Sequence, residues 1–487
     1  MKHEVIIGKY TLESLTNGMY SLPFDMYREY IQNAVDSFDE TVDAGVEIAD
    51  KLKIDIDIDE AERKVVIRDN GMGIRAAEAV GTLLDIGNSQ KRRTYSRGFR
   101  GIGRLAGLSY CEKLIFKTSF KGEETATVIV FDALQLRELL RPEKHQSESI
   151  EDVIDKIVTI RTEKETANRR YFYIELEGVS NEGGLLDIEA VKDYLIQHAP
   201  LQFSSDFKWG RTITEKMRMS GYQVPQYVIR LNGETIYKPY KDSFISDRIK
   251  KNLDYIRDVS IETFYRKEKV SAVLWYAETN FQGTIIDNSI KGIRIRQGNI
   301  LIGDKGSCSA FFKEERFNGW MIGELHIIDP ELIVNSRRDG FEKNAAYYEL
   351  SSQLKEWAFA ISKKIRHLSY ERNLSSSKVA FVEEGQVEDI NDENSLCSED
   401  FSFAEDYGER AVIDLDESSE VAETDYISKF NLFLKLKKAQ TKYTALNINS
   451  KLTIDQRKVL ERVFDLITQE YEPDTAERFV NTIAAKF

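Results

Sequence analysis

The run VVIRDNGMGI at residues 65–74 restricts the fold of this chain more than any other stretch. An apolar strand leads directly into Asp69, and two glycines separated by one residue follow. Residues 53–59 alternate isoleucine with aspartate or lysine, the period of a strand with one buried face and one solvated face. Together with amphipathic helical segments nearby, these strands predict an α+β sandwich, and we assign the acidic strand face no metal role.

Asp69 stands where a strand ends, and this position suits a residue that recognises a base. A buried carboxylate can accept a hydrogen bond from the exocyclic amine of adenine. Gly71 and Gly73 would let the backbone pass close to a planar ring. The alternative is a plain hairpin turn, because Asn-Gly is a common turn dipeptide.

The segment YREYIQNAVDSF at residues 27–38 predicts a helix with Glu29, Asn33 and Asp36 on one face. Hydrolysis of a phosphoanhydride needs a carboxylate that orients and deprotonates water, and an oxygen ligand for a hard magnesium ion. Glu29 and Asn33, one turn apart, supply both groups. A solvated polar face is the alternative for this segment taken alone.

A glycine-rich stretch, RGFRGIGRLAGL at residues 97–108, forms the third segment. Gly98, Gly101 and Gly103 precede a run with helical character. Glycine amides in front of a helix N-terminus form a cradle for anions such as triphosphate oxygens. A single glycine-rich loop is weak evidence, so the interpretation depends on the other two segments.

Residues 82–95 separate the second and third segments, and they are polar and basic. Ser89 and Lys91 lie in this stretch, which predicts a lid that closes over bound nucleotide. A solvated loop is the alternative.

These three segments, in this order and spacing, resemble the GHKL ATPases, which include gyrase, heat-shock-90 chaperones, histidine kinases and MutL. The resemblance implies a Bergerat-fold α/β sandwich that binds ATP and Mg²⁺ and hydrolyses ATP. It implies that Glu29 is the general base, Asn33 the magnesium ligand and Asp69 the adenine-binding residue. The remaining nucleotide-binding residues that it implies are Asp36, Gly71, Met72, Gly73, Ser89, Lys91, Gly98, Gly101, Ile102 and Gly103.

Within this superfamily the chain looks most like the heat-shock-90 chaperones. Residues 82–91 resemble the segment between pocket and lid in that family, and residues 188–203 resemble the helix that closes its N-terminal domain. His198 falls at the family position in that helix. We expect His198 to have a structural role rather than a catalytic one.

Two later segments, residues 293–304 and 321–341, resemble the middle domain of the same chaperones. That family places an arginine there which reaches the γ-phosphate from outside the ATP-binding domain. Such a cation stabilises phosphoryl charge only when the domains dock.

The family pattern around this arginine matches Asn335 and Asp339, and it therefore selects Arg338, with Arg337 one position away. Two surface arginines in a loop are the alternative. The sequence also departs from the family pattern. Residues 169–176 contain no Thr where the family has a Gly-Thr contact to adenine, and after residue 370 no resemblance remains.

The predicted organisation has four parts. Residues 1–205 form the ATP-binding domain, and residues 206–372 form an α/β middle domain. Residues 373–425 form an acidic flexible linker, with seventeen carboxylates against the single basic residue Arg410 between 383 and 425. Residues 426–487 show helical spacing and predict a small helical C-terminal region.

The predicted function is an ATP-hydrolysing conformational clamp of the chaperone type, a homodimer that acts on a protein client or partner protein. One alternative is a GHKL ATPase of the MutL or MORC type in DNA transactions or antiviral defence. Another is a nucleotide sensor with negligible turnover. A histidine kinase is disfavoured, because only His3 precedes Glu29. Lys442 superficially resembles the gyrase lysine, but an ordinary surface lysine is the favoured interpretation.

Charge and cysteine content limit the other classes. The formal net charge of -14 disfavours a generic polyanion-binding surface, although a local basic patch could contact nucleic acid. Cys111, Cys308 and Cys397 are widely spaced, which predicts neither a disulfide framework nor a zinc site. No signal peptide or long apolar run is apparent, so we expect a cytoplasmic protein without a membrane segment.

Overall fold

The computed structural model describes residues 10–11, 22–46, 51–85, 103–141, 149–247 and 249–383. The α-helices of five or more residues are α1 Asp25–Asp43, α2 Ala76–Leu84, α3 Ala133–Leu139, α4 Ile150–Ile157, α5 Ile188–His198, α6 Gly210–Met219 and α7 Ala345–Glu383. The strands are β1 Lys53–Asp59, β2 Lys64–Asp69, β3 Lys113–Ser119, β4 Thr125–Asp132, β5 Val158–Lys164, β6 Tyr171–Glu177, β7 Val228–Leu231, β8 Glu234–Thr235, β9 Ser243–Ser246, β10 Asn252–Tyr255, β11 Asp258–Arg266, β12 Lys269–Glu278, β13 Gly292–Gln297, β14 Ile300–Ile302 and β15 Ile322–Ile327.

The first sheet has eight strands in the order β5-β4-β3-β6-β2-β1-β7-β8. One of its faces is covered by helices, and the core there joins apolar side chains of α1, α4 and α5 to the inward residues of the strands. The alternation predicted for β1 is confirmed, because Ile54, Ile56 and Ile58 are buried while Asp57 and Asp59 are exposed. A sheet covered on one face alternates in this way.

The first sheet continues beyond the predicted domain boundary at residue 205. Strand β7 pairs in parallel with β1, with Ile54 opposite Ile229 and Ile56 opposite Leu231. Strand β8 then pairs with β7 across the turn at Asn232 and Gly233. The segment between α5 and the second sheet therefore contributes strands to the first sheet.

The second sheet has five strands in the order β11-β12-β15-β13-β14. Strand β12 is buried over seven consecutive residues, as expected for a central strand covered on both faces. Helix α7 packs on one face through residues such as Leu350, Leu354 and Ile361. Helix α6 packs on the other face through Ile213 and Met217. The sheet is therefore the middle layer of three.

The mixed architecture confirms the predicted α+β class. Helix α7 begins at Ala345 and extends to Glu383. The predicted helical region at residues 426–487 lies outside the described residues, as do Cys397 and Lys442. Within the described ranges, none of the helices has the length and apolar character needed to cross a membrane.

Candidate nucleotide site

Helix α1 buries one polar face. Its apolar residues pack into the core, and yet five polar residues on its opposite side are also no more than 7% exposed: Asp25, Arg28, Glu29, Gln32 and Asp36. A charged side chain in a globular protein is rarely buried unless it has a partner or a function. The solvated-face alternative for this helix is therefore wrong.

Glu29 is the central residue of this face. Its carboxylate oxygen Oε1 lies 3.0 Å from Nε of Arg338 and 3.5 Å from Nη2 of Arg28. Arg28 also pairs with Asp25 at 3.0 Å, and Asp25 accepts a hydrogen bond from the hydroxyl of Tyr194. Two guanidinium groups therefore flank the carboxylate in a nearly dry environment.

Arg338 reaches Glu29 from a tight turn next to the second sheet. Its φ angle is +58°, a left-handed conformation that is uncommon for a residue other than glycine. The turn is held by a hydrogen bond from the Arg338 amide to the carbonyl of Asn335 at 3.2 Å, and by one from the Gly303 amide to the Arg338 carbonyl at 2.9 Å. The Asn335 side chain also donates to Asp339 at 2.5 Å.

The two residues that match the family pattern, Asn335 and Asp339, thus build the turn that carries Arg338. The neighbouring Arg337 is exposed. A left-handed residue held by several contacts is common at functional sites, where the surroundings impose the conformation.

Asp69 ends strand β2 and is only 4% exposed. Burial raises the pKa of its carboxyl to about 7, while hydrogen bonds from the Gly71 and Phe172 amides and the nearby Arg170 and Arg68 act in the opposite direction. The Gly71 amide donates to Oδ1 at 2.8 Å. A buried acceptor of this kind fits the role expected of an adenine-binding residue.

The glycines after Asp69 allow a close approach between this loop and the end of β3. A Cβ atom at Gly73 would lie 1.9 Å from the Ser119 carbonyl oxygen, and the φ angle of Gly73 is +69°. Only glycine fits this position, which explains the second glycine of the motif. A plain hairpin turn would not need this contact with a third strand.

Sequence reasoning missed three residues that shape this loop. The Ser37 hydroxyl accepts a hydrogen bond from the Met72 amide at 2.9 Å, and Arg170 donates to the Gly71 carbonyl at 3.0 Å. The Thr118 hydroxyl accepts from the Ile74 amide at 2.8 Å and donates to the Tyr171 carbonyl at 3.2 Å. Ser37 follows Asn33 by one helical turn, and that spacing could have revealed it.

A threonine of a neighbouring strand contacts the segment 169–176, which has no Thr of its own. Thr118 lies on β3, directly opposite Phe172 of β6, and its hydroxyl reaches the strand on which the family threonine was expected. Thr118 is 1% exposed. Its hydroxyl therefore links strand β6 to the loop that follows Asp69, through Tyr171 and Ile74.

Of the glycine-rich segment, only Gly103 and the residues after it are described; Ser89, Lys91, Gly98, Gly101 and Ile102 lie outside the described residues. Gly103 begins a 3-10 helix, Gly103–Ser109. A Cβ atom at Gly103 would lie 2.2 Å from Oε2 of Glu29. The Gly107 amide donates to the Tyr30 hydroxyl at 2.9 Å, which anchors the same helix to α1.

The site therefore brings together Glu29, Gly103 and Arg338, and it places Asp69 with Gly71, Met72 and Gly73 in a second group at the end of β2. Asn33 is half-buried on α1, one turn from Glu29, and Asp36 is buried one turn further along. No cluster of three or more His, Cys, Asp or Glu side chains within the described ranges could hold a metal. Mg²⁺ is also commonly bound by one or two protein oxygens, with phosphate oxygens and water as the remaining ligands. The Asn33 amide oxygen suits a site of that kind.

His198 has the structural surroundings expected of it. Its Nδ1 atom lies 2.8 Å from the Tyr194 carbonyl, and its ring stacks on that of Tyr194 with centroids 3.9 Å apart. Burial lowers the pKa of His198 to about 3, although the hydrogen bond to Tyr194 opposes the shift. The imidazole is therefore neutral near pH 7.

A polar cluster joins helix α5 to the second sheet. We call Gln197, Lys238, Arg294, Arg296 and Glu324 the junction cluster; Gln197 is half-buried and the other four are buried. Gln197 accepts from Arg294 Nε at 2.7 Å, and its carbonyl accepts from Arg296 at 3.0 Å. Glu324 pairs with Arg296 at 2.6 Å and Lys238 at 2.5 Å. Although burial opposes ionisation, Arg296 and Lys238 hold the pKa of Glu324 well below its usual range.

Comparison with known proteins agrees with the geometry of the first sheet. Residues 20–160 match the family described as histidine kinase-, DNA gyrase B-, and HSP90-like ATPase. Chaperone protein HtpG of Nocardia farcinica and chaperone protein HtpG of Mycobacterium tuberculosis (strain ATCC 25618 / H37Rv) are each 31% identical over 137 residues. These matches cover 24% of this chain and 21% of each relative, so the chain spans about a fifth of the length of the relatives. Residues 20–160 therefore match the GHKL, HSP90-like ATPase family, and part of the chain is similar to HtpG.

Proposed function

We propose that this chain binds ATP with Mg²⁺ and hydrolyses the γ-phosphoanhydride, and that it works as a chaperone-like conformational clamp. The observation that carries the proposal is the 3.0 Å contact between Glu29 and Arg338. It joins helix α1, which carries the expected catalytic carboxylate, to the turn beside the second sheet. The match of residues 20–160 to an ATPase family and the printed name of the HtpG relatives support it.

In this proposal Glu29 orients a water molecule and accepts its proton, since a carboxylate within hydrogen-bond reach of water can act as a general base. Asp69 accepts a hydrogen bond from the exocyclic amine of adenine. The first turn of the 3-10 helix that begins at Gly103 lies beside Glu29, where water would attack the γ-phosphate. Asn33 would hold Mg²⁺, which would neutralise phosphate charge. The nucleotide-binding residues outside the described ranges would complete the phosphate cradle and lid.

Arg338 has two competing partners in this scheme. In the structure its guanidinium pairs with Glu29, and the γ-phosphate would offer more negative charge and more acceptor oxygens at the same place. Transfer of the guanidinium from Glu29 to the phosphate would free the carboxylate for water and place a cation on the developing charge. Hydrolysis would then depend on the position of the second sheet, which is how ATP could control a clamp.

Phosphate release tests this proposal and separates it from its alternatives. The full chain is assayed with Mg²⁺ and ATP, alone, with duplex DNA, and with an aggregation-prone unfolded protein. A chaperone-type clamp should turn over ATP slowly and suppress aggregation of the unfolded protein. It should also form a homodimer in the presence of a non-hydrolysable ATP analogue. Strong stimulation by DNA would contradict the chaperone role and favour a MutL or MORC type enzyme. Tight binding without turnover would indicate a nucleotide sensor.

A further inference from the structure

A cavity of about 180 Å³ lies between the second sheet and helix α7. Most of its wall residues are apolar and belong to the core of that part of the chain, while two serines, an aspartate and a tyrosine contribute polar groups. Characteristic wall residues are Ile302, Leu325, Leu332, Phe341, Leu350 and Leu354. Protein cores pack as densely as organic crystals, and voids larger than one water molecule are few. A mostly apolar pocket of this size beside the core is therefore a feature to be explained.

The wall contains a buried hydroxyl group with an unmet hydrogen bond. Ser351 of α7 lines the cavity and is 9% exposed, and its Oγ atom has no hydrogen-bond partner in the described part of the chain. By contrast, Ser362 of the same helix donates to the carbonyl of Ala358 at 2.6 Å. Buried hydroxyl groups are nearly always hydrogen-bonded, so the exception at Ser351 points to a missing partner in the cavity.

The cavity adjoins the turn that carries Arg338. The three residues after Arg338, namely Asp339, Gly340 and Phe341, all line it. A molecule in the cavity would therefore contact the turn whose Arg338 pairs with Glu29.

We propose that this cavity is a binding site for a small apolar molecule, a single ring or a short alkyl chain that carries one hydroxyl or carbonyl group. An apolar cavity of roughly 150 Å³ accepts benzene, so a pocket of 180 Å³ accommodates one ring with a small substituent. The Ser351 hydroxyl would bond to the polar group of the ligand. Binding at this site does not depend on the proposed ATPase activity, but an effect of the ligand on turnover does.

Ligand-observed NMR on the full chain tests the site, with benzyl alcohol and toluene as probes of nearly equal shape. Both probes should bind saturably, and benzyl alcohol should bind more tightly. Ser351→Ala should weaken the binding of benzyl alcohol about tenfold, because the complex loses one hydrogen bond, and it should leave the affinity for toluene unchanged. Ser362→Ala is the matched control, because its hydroxyl has a partner in the helix, and it should alter neither affinity.

Three outcomes would overturn the proposal. The first is the absence of saturable binding, as expected if ordered water fills the cavity or Phe341 turns into it. The second is an unchanged preference for benzyl alcohol in Ser351→Ala. The third is undiminished binding in Leu354→Phe, whose larger side chain should fill the cavity; if circular dichroism shows that this variant is unfolded, Ser351→Ala decides. Phosphate release is measured in parallel, so that loss of turnover and loss of ligand binding remain distinguishable.

Discussion

Arg338 Nε lies 3.0 Å from Glu29 Oε1, so a residue from a turn beside the second sheet contacts the carboxylate that α1 presents beside the first sheet. Arg338 adopts a left-handed backbone conformation, which the hydrogen bonds of Asn335 and Gly303 hold in place. A short range of backbone movement in this turn would make or break the contact. Whether this contact forms therefore depends on the position of the turn relative to helix α1.

Glu29→Ala should abolish ATP turnover and preserve ATP binding. The loss of a general base typically lowers kcat by about a hundredfold or more, whereas the adenine-binding group around Asp69 is unaffected. Phosphate release measures kcat, and titration calorimetry measures the affinity. Glu40→Gln, an exposed carboxylate on the same helix, is the matched control and should keep wild-type turnover. Normal turnover in Glu29→Ala would remove this residue from the mechanism.

Arg338→Ala should lower kcat about a hundredfold with little loss of ATP affinity, since one charged donor aimed at the developing phosphate charge contributes this much. Arg337→Ala is the natural control, because Arg337 is exposed on the same turn. Equal effects of the two substitutions would indicate a general role of positive charge in the turn. A large loss of affinity in Arg338→Ala would mean that the arginine acts in binding.

Gly103→Ala should slow hydrolysis by about ten- to a hundredfold, because its Cβ atom would lie 2.2 Å from Glu29 Oε2 and force the carboxylate to move. The displaced carboxylate would no longer align with water. Gly81→Ala in α2 is the control, since its nearest neighbour is 3.7 Å away. Single-turnover kinetics separates slower chemistry from slower ATP binding, and a variant with normal chemistry would contradict the proximity of the two groups.

The local parts of this site could be predicted from sequence, because short segments determine them. Strand β1 follows from the alternation of isoleucine and aspartate, and the polar face of α1 follows from helical spacing. Contacts that depend on the path of the chain could not be predicted. The alternation of Ile229 and Leu231 is the same whichever sheet β7 joins, and only its pairing with β1 places it in the first.

The role of Thr118 was also beyond local patterns, because it arises from the pairing of β3 with β6. The arginines of β13 are a similar case. Alternation of isoleucine and arginine in residues 293–296 would predict an exposed charged face. Arg294 and Arg296 are instead 1% and 0% exposed, because Gln197 and Glu324 provide partners from distant segments.

Glu324→Gln should strongly destabilise the protein, because the buried Arg296 guanidinium would lose its countercharge and Lys238 would lose its charged partner. Breaking a buried ion pair from one side costs about 3–5 kcal/mol. The free energy of unfolding is measured by urea denaturation, and Glu138→Gln, which removes an exposed pair with Arg141, should change it by less than about 1 kcal/mol. A small effect at Glu324 would mean that the junction cluster tolerates excess positive charge.

Asp69→Asn should abolish ATP binding and yet stabilise the free protein at pH 8. Burial raises the pKa of Asp69 to about 7, so the folded state binds a proton more tightly than the unfolded state does. The stabilisation from this proton is complete below the pKa of the unfolded carboxyl, and it is lost as the pH rises through 7. The neutral amide avoids that loss, so the variant should match the wild type near pH 4. Its free energy of unfolding should exceed that of the wild type at pH 8 by on the order of 2–4 kcal/mol, the amount that about three pKa units represent.

Thermal unfolding at both pH values, with and without ATP and Mg²⁺, measures the two effects together. A variant that is equally stable at pH 8 would place Asp69 in a more solvated environment than the structure gives it, and a variant that ATP still stabilises would remove it from base recognition.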